Sequence, residues 1–319
     1  MQKITSLFKS ILVSGASGDI GIGIGRILKS ENFQNVYGCD INTDSWGLCI
    51  FDKMMQVERA DTSSYISGLV TLITQLSIDL FIPSSEAEIK VLIGYGDKLE
   101  AFLGCKVLIA DTNTVNVALD KLSTATFLKV NRFNFPWTIK ATDELPSSLP
   151  CIFKPISGQG SKGLEVVENK DRASELFNSP GYIFQELLLP DDQEYTCGVF
   201  RSKSGVLRLI HMNRTLSGGF TAKGTVIENT TIEEYVCSIA EALNVVGVIN
   251  MQLRLTDNGP VLFEINPRIS STVVFRHKLG FEDLLWAIED IANLPLRAYN
   301  KPKAGTQFYR GLSEYFNNN

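Results

Sequence analysis

The residues of this chain best suited to chemistry lie in one stretch, residues 250–268, NMQLRLTDNGPVLFEINPR. It combines one carboxylate, Glu264, with the amides Asn250, Gln252 and Asn266 and the guanidinium of Arg268. Oxygen-rich clusters of this kind suit Mg²⁺, which takes one or two carboxylates and completes its shell with water and substrate phosphates. Arg268 would then meet an anion held nearby. The bland reading is the solvated polar face of an edge hairpin.

A hairpin is what the pattern predicts. Ile249, Met251, Leu253 and Leu255 alternate with Asn250, Gln252 and Arg254, the period-2 signature of a strand with one buried face. The second arm repeats the alternation, with Phe263 and Ile265 facing away from Glu264 and Asn266. A two-residue Asn258-Gly259 loop would oppose Gln252 to Ile265, on mismatched faces. A three-residue loop over 257–259, with Gly259 left-handed, opposes Gln252 to Glu264 and Asn250 to Asn266. The second register keeps both faces consistent and is the one expected.

Composition narrows the function classes. The chain has 319 residues, 44% of them hydrophobic and 20% charged, with a formal charge of −5. That is an ordinary globular composition of two or three domains, without the basic run that nucleic-acid binding would need. Six cysteines at 39, 49, 105, 151, 197 and 237 form no Cys-x-x-Cys, so free thiols in a reducing compartment are expected. With only His211 and His277 available, a histidine-based metal centre is disfavoured. A Ser-His-Asp triad lacks a Gly-x-Ser-x-Gly elbow. The short ILV near the N-terminus is too brief for a signal-peptide core, and no apolar run suggests a membrane span. A cytoplasmic protein is expected.

In chain order, residues 10–13, 36–40, 80–84 and 106–111 read as strands. Helical patterns at 66–76 and 86–103, and a helix after the first glycines, alternate with them, which predicts a parallel sheet with helices on its faces. GASGDIGIGIG at 15–25, with Asp40 ending the second strand, invites a dinucleotide reading. Its glycines do not follow Gly-x-Gly-x-x-Gly, and Tyr299-x-x-x-Lys303 contains Pro302, so it cannot supply a short-chain oxidoreductase's helical pair. Close helix–strand packing is the favoured role of these glycines. Downstream, Asp120-Lys121 opens a helix. Residues 151–167 give a strand ending at Lys154, a Gly/Ser loop over 157–163 and a second strand. This order is not a Walker A loop, although backbone N–H groups in such a loop can approach phosphates closely. Residues 182–200 form two strands about a Pro-Asp-Asp turn, with Gln185 and Glu186 ending the first and Glu194 opening the second. Residues 208–214 make a further strand, followed by SGGFTAKG, expected to be flexible, and FYRGL at 308–312 reads as a last strand.

The order of these motifs resembles the ATP-grasp superfamily, in particular proteins like one ATP-binding half of the carbamoyl-phosphate synthase large subunit. The resemblance covers about residues 110–298. It rests on Asp120-Lys121, Phe153-Lys154-Pro155 with its glycine loop, Gln185-Glu186-Leu187, Glu194-Tyr195-Thr196, Asn250-x-Gln252, and Glu264-Ile265-Asn266-Pro267-Arg268. It implies an α/β fold: a Rossmann-like pre-ATP-grasp domain over 1–110, then a two-lobed α+β ATP-grasp module with antiparallel sheets. The small lobe, with the linker and lid, would span 111–184, and the large lobe with the tail 185–319. It further implies Lys121 and Lys154 on ATP phosphates and a lid containing Ser157, Gly158, Gly160, Ser161 and Gly163. Gln185, Glu186 and Leu187 would lie along adenine and Glu194 on the ribose. Mg²⁺, or Mn²⁺ in its place, would sit on Gln252, Glu264 and Asn266, although many relatives carry an acid at the Gln252 position. The implied reaction is an ADP-forming carboxylate–amine ligation through an acyl phosphate. Arg268 and Arg214 are the candidate catalytic residues, with Lys223 a weaker one. The partners would be small-molecule carboxylates and amines, and a homodimer is compatible. The alternatives are a kinase-like phosphotransferase using the same site, a nucleotide-binding regulator and an NAD(P) oxidoreductase.

Overall fold

The computed structural model describes residues 4–158, 163–311 and 313–315. Within them the strands form three sheets. The first is parallel and five-stranded. Its strands are β1 (Ser10–Ser14), β2 (Asn35–Asp40), β3 (Lys53–Gln56), β4 (Leu80–Ile82) and β5 (Lys106–Val107), in the order β3-β2-β1-β4-β5. Both faces are covered, so β1 is buried at every position and reads as a continuous apolar run, as strands of covered parallel sheets do. The glycines after β1 pack closely, as expected. A Cβ on Gly21 would lie 2.3 Å from the Gly15 carbonyl oxygen, and Asp40 is engaged locally, accepting from the Ser17 N–H at 2.9 Å.

The second sheet is antiparallel: β6 (Thr138–Lys140), β7 (Cys151–Pro155), β8 (Glu165–Val167) and β9 (Tyr182–Glu186), ordered β6-β9-β7-β8. The third has six antiparallel strands: β10 (Glu194–Arg201), β11 (Leu207–Ser217), β12 (Phe220–Val226), β13 (Gly247–Thr256), β14 (Gly259–Asn266) and β15 (Gln307–Tyr309), ordered β14-β13-β10-β11-β12-β15. The parallel N-terminal sheet followed by two antiparallel sheets is the α/β architecture expected. The segment SGGFTAKG, expected to be flexible, is instead a paired hairpin. Gly218 (φ +58°) and Gly219 (φ +83°) form its two-residue turn, a conformation that favours glycine at both positions.

One hydrophobic core joins the parallel sheet to the six-stranded sheet. Ile22, Ile24 and Leu28 of the helix Asp19–Ser30 share it with Phe200, Ile210, Met212 and Trp286. This packing carries the N-terminal glycine turn to the rim of the large sheet. Beside the same core, Arg276 pairs with Asp283 at 2.9 Å, the two side chains 0% and 1% exposed. Gly198 makes room for them, since a Cβ there would stand 2.5 Å from Arg276 Nη1. Arg276→Met is expected to destabilise the fold by about 3–5 kcal/mol, because it strands a buried carboxylate, whereas adding Asp283→Leu recovers most of the loss. Urea unfolding of the single and double variants checks this; equal losses in both would refute it. Among the described residues no helix is long and apolar enough to cross a membrane.

Candidate functional site

The hairpin β13–β14 sits at the edge of the large sheet and opposes Gln252 to Glu264 and Asn250 to Asn266. The expected pairing is present, but the expected loop is not its cause. Thr256 pairs with Gly259, leaving a two-residue Asp257-Asn258 turn, and the register shifts by one between Gln252 and Leu253. Phe263 is the extra residue. A bulge re-aims side chains, and here Phe263, expected to face the core, instead lines the cleft with Lys154 Nζ 5.7 Å from its ring centre.

Cross-strand neighbours then align polar groups on one face of the sheet. Arg214 on β11, Glu194 on β10 and Arg254 on β13 stand in a row, because Tyr195 pairs with Asn213 and Glu194 with Arg254. Glu194 Oε1 accepts from Arg214 Nε (3.0 Å) and Nη2 (2.7 Å), and Oε2 accepts from Arg254 Nη2 (2.9 Å). Arg214 Nη2 also donates to Gln252 Oε1 (2.8 Å), Gln252 Nε2 to Asn266 Oδ1 (3.0 Å), and Asn266 Nδ2 to Glu264 Oε1 (2.7 Å). A hydrogen-bonded chain thus runs from Glu194 to Glu264. Asn250, counted with this cluster from sequence, is buried beneath it and accepts from Thr196 Oγ1 at 2.9 Å.

Across the cleft, β7 and the helix Lys121–Val130 supply two lysines. Asp120 caps that helix, its carboxylate accepting from the Ser123 N–H. Lys121 Nζ donates to the Gly158 carbonyl at 3.0 Å, which ties the helix to the glycine loop. Lys154 is 6% exposed. Burial pulls its ammonium down to about 8, against the pull of Glu264 in the other direction and with the help of nearby Lys121. β9 forms the back wall, with Gln185 Nε2 donating to Thr138 Oγ1 (2.9 Å) and Glu186 Oε2 accepting from the Trp137 N–H (3.2 Å).

These groups enclose a cleft of about 480 Å³ between the small and large sheets. Residues 118–272 match the family described as an ATP-grasp domain. The chain carries an ATP-grasp domain. The architecture agrees. An N5-carboxyaminoimidazole ribonucleotide synthetase in its ADP complex superposes with a TM-score of 0.73 at 18% identity, over 92% of this chain and 80% of that one. The synthetase of that name from Thermus thermophilus gives 0.72 at 16%, over 93% and 82%. The biotin carboxylase domain dimer of Hydrogenobacter thermophilus 2-oxoglutarate carboxylase, in complex with MgADP, ADP and bicarbonate, gives 0.72 at 15%, over 94% and 73%. At these identities the likeness is one of fold.

The ATP-grasp cleft gathers Lys121, Lys154, Gly158, Gln185, Glu186, Leu187, Glu194, Arg214, Gln252, Glu264, Asn266 and Arg268. Ser157 is exposed and Gly163 stands against Pro155, both outside the lining; Lys223 is exposed on β12 and also outside it. Gly160 and Ser161 fall outside the described residues. Several lining groups carry no signal in the sequence for this site, among them Gly18, Asp19, Ile20, Phe220, Arg254 and Ser271. Arg254 is legible only as a polar-face residue of its strand, and Asp19 lies inside a glycine motif with another explanation.

Proposed function

We propose that the protein is an ADP-forming, Mg²⁺-dependent ligase that activates a small-molecule carboxylate as an acyl phosphate for attack by an amine. The observation that carries the reading is the hydrogen-bonded face Glu194–Arg214–Gln252–Asn266–Glu264 set across one cleft from two lysines. Lys121 and Lys154 would hold the phosphates, with the glycine loop above them. The chain through Gln185, Glu186 and Leu187 would lie along adenine. Glu194 would receive a ribose hydroxyl: a carboxylate offers roughly four acceptor positions, and the arginines occupy three.

For Mg²⁺, the fit is that of a single-carboxylate site. Among the described residues no group of three or more His, Cys, Asp or Glu could hold a metal, so Glu264 and the Asn266 amide oxygen would need ATP oxygens to complete a shell. Gln252 would steady Asn266, while its own carbonyl oxygen is held by Arg214. When bound, the metal neutralises charge on the β- and γ-phosphoryl oxygens.

The remaining work is positioning. With Arg268 holding the acceptor, a carboxylate oxygen forms the new bond to the γ-phosphorus as the bond to the β,γ-bridging oxygen breaks and ADP leaves. The amine then forms the C–N bond as the C–O bond to phosphate breaks, releasing inorganic phosphate and a proton. An ADP-release screen of carboxylates with and without amines, in Mg²⁺, tests this. ADP release that depends on both substrates is expected. Release that needs no amine and leaves a stable phosphorylated product would make the protein a kinase, and nucleotide binding without turnover a regulator. A dimer, like the carboxylase domain's, and a cytoplasmic location are further parts of the proposal.

A further inference from the structure

The nucleotide and metal groups leave one end of the cleft unassigned. There Arg268, 9% exposed, is ion-paired with Glu86 at 3.0 Å. Asp19, which opens the helix Asp19–Ser30, lines the same end with Gly18, Ile20, Ser270 and Ser271. Its side chain is 21% exposed, yet its Oδ2 is shut off from solvent and has no hydrogen-bond partner among the described residues. The neighbouring cation does not reach it. Arg310 Nη1 stands 3.8 Å away, beyond hydrogen-bond range, and the guanidinium is committed to the Thr221 carbonyl (3.1 Å) and the Ser271 carbonyl (2.8 Å). Burial pushes the Asp19 carboxyl up, against the pull of Arg310 and Arg268.

A buried acceptor without a donor is costly, and because the Asp19 side chain is 21% exposed on the cleft wall, a turn of its carboxylate presents that oxygen to a ligand able to donate. The local charges choose the kind of ligand. Asp19 and Glu86 balance Arg268 and Arg310, so this end is neutral overall while presenting both signs. A simple carboxylate would meet Arg268, add a net negative charge and leave Asp19 without a donor. A zwitterion adds no net charge and serves both groups. We propose that the activated substrate is an α-amino acid, with Arg268 holding its carboxylate and Asp19 Oδ2 accepting a hydrogen bond from its α-ammonium. This rests on the ligase reading above and narrows it. It also explains how the substrate avoids self-condensation: an α-amine kept protonated by Asp19 has no lone pair with which to attack, so the nucleophile is a different amine.

The test uses the full chain with Mg²⁺ and ATP, and hydroxylamine as a general amine that converts an acyl phosphate to a hydroxamate. Each common α-amino acid, in both enantiomers, is compared with the same acid lacking its amine, as alanine with propionate. At least one amino acid is expected to give ADP and hydroxamate, with its amine-free counterpart at least ~10²-fold poorer in kcat/KM, because a site built to bond a donor rejects the analogue without it. Asp19→Asn should raise KM for the amino acid and collapse that preference; Asp19→Glu should keep part of it. Equal use of amine-free acids, an unchanged preference in Asp19→Asn, or no response to any amino acid overturns the proposal. The two readings fail separately. Turnover of amine-free acids alone ends the amino-acid assignment and spares the ligase, whereas failure of Mg·ADP to raise the melting temperature of the wild type ends both.

Discussion

Replacing Glu264 with alanine should lower ADP release by about 10³-fold, the scale on which loss of a preorganised electrostatic group slows a reaction. The reason is scarcity. Of the two carboxylates in the hydrogen-bonded chain, Glu194 is taken up by two arginines, whereas Glu264 at the other end meets only the Asn266 amide among the bonds of that chain. Structure should survive the change, because the side chain is only half-buried and gives up one hydrogen bond, from Asn266 at 2.7 Å, worth about 0.5–1.5 kcal/mol. Some of that is returned by relieving repulsion with Glu86, whose carboxyl Glu264 helps to push up. Glu264→Gln separates charge from shape, since it can still accept from Asn266; its activity should recover in part as Mg²⁺ is raised. ADP release at saturating ATP across a Mg²⁺ series is the measurement, and an alanine variant of wild-type activity would sink the metal assignment.

Lys154→Met should do two opposite things, stabilising the fold and impairing nucleotide binding. In the folded protein burial pulls the ammonium from 10.5 down to about 8. A depressed lysine is a cost: below pH 8 the folded state holds a charge in a place that disfavours it. The shift corresponds to a penalty on the order of 3 kcal/mol at neutral pH. Between about 8 and 10.5 the unfolded chain binds more protons than the folded one, so wild-type stability rises with pH through that window. Methionine removes both the penalty and the slope. Its loss is functional, because a charge-assisted contact to phosphate disappears, weakening nucleotide affinity roughly 10–100-fold. For the wild type, affinity should fall as pH rises past about 8 and the lysine loses its proton. Urea unfolding from about pH 6 to 10 and titration with Mg·ADP check the pair of effects. A variant less stable than wild type at neutral pH, or one that keeps the pH slope, would show that the lysine is not the strained group.

Much of this site is legible in the amino-acid order. Glu264 and Asn266 alternate with Ile265 along one strand, and Gln252 alternates with Met251 and Leu253 along another, so each residue's face follows from period-2 geometry alone. The opposition of Gln252 to Glu264 is legible too, because the one-residue slip that an Asn258-Gly259 loop imposes would set polar groups against apolar ones. Its cause is not. A three-residue loop and a two-residue loop with a bulge produce the same pairing at that point, and nothing local distinguishes Phe263 as the extra residue. The flexible reading of SGGFTAKG fails for a related reason: two glycines suggest mobility in isolation, yet their positive φ values are what a tight hairpin turn requires.

What the sequence determined by itself is the set of local preferences: the alternation of each strand, the helix opened at Asp120-Lys121, the covered apolar runs of the parallel sheet, and the order in which lysines, glycines, acids and amides arrive along the chain. What only the tertiary structure decided is which of those groups meet. Glu194 lies between two arginines because three strands stand in one register, and Asp19 shares a cleft with Arg268 because Ile22, Ile24 and Leu28 dock their helix against the large sheet. The division is physical. Backbone periodicity acts between neighbours and is written residue by residue, whereas the approach of distant segments is set by the packing of a whole core, to which the polar groups that end up facing each other contribute almost nothing.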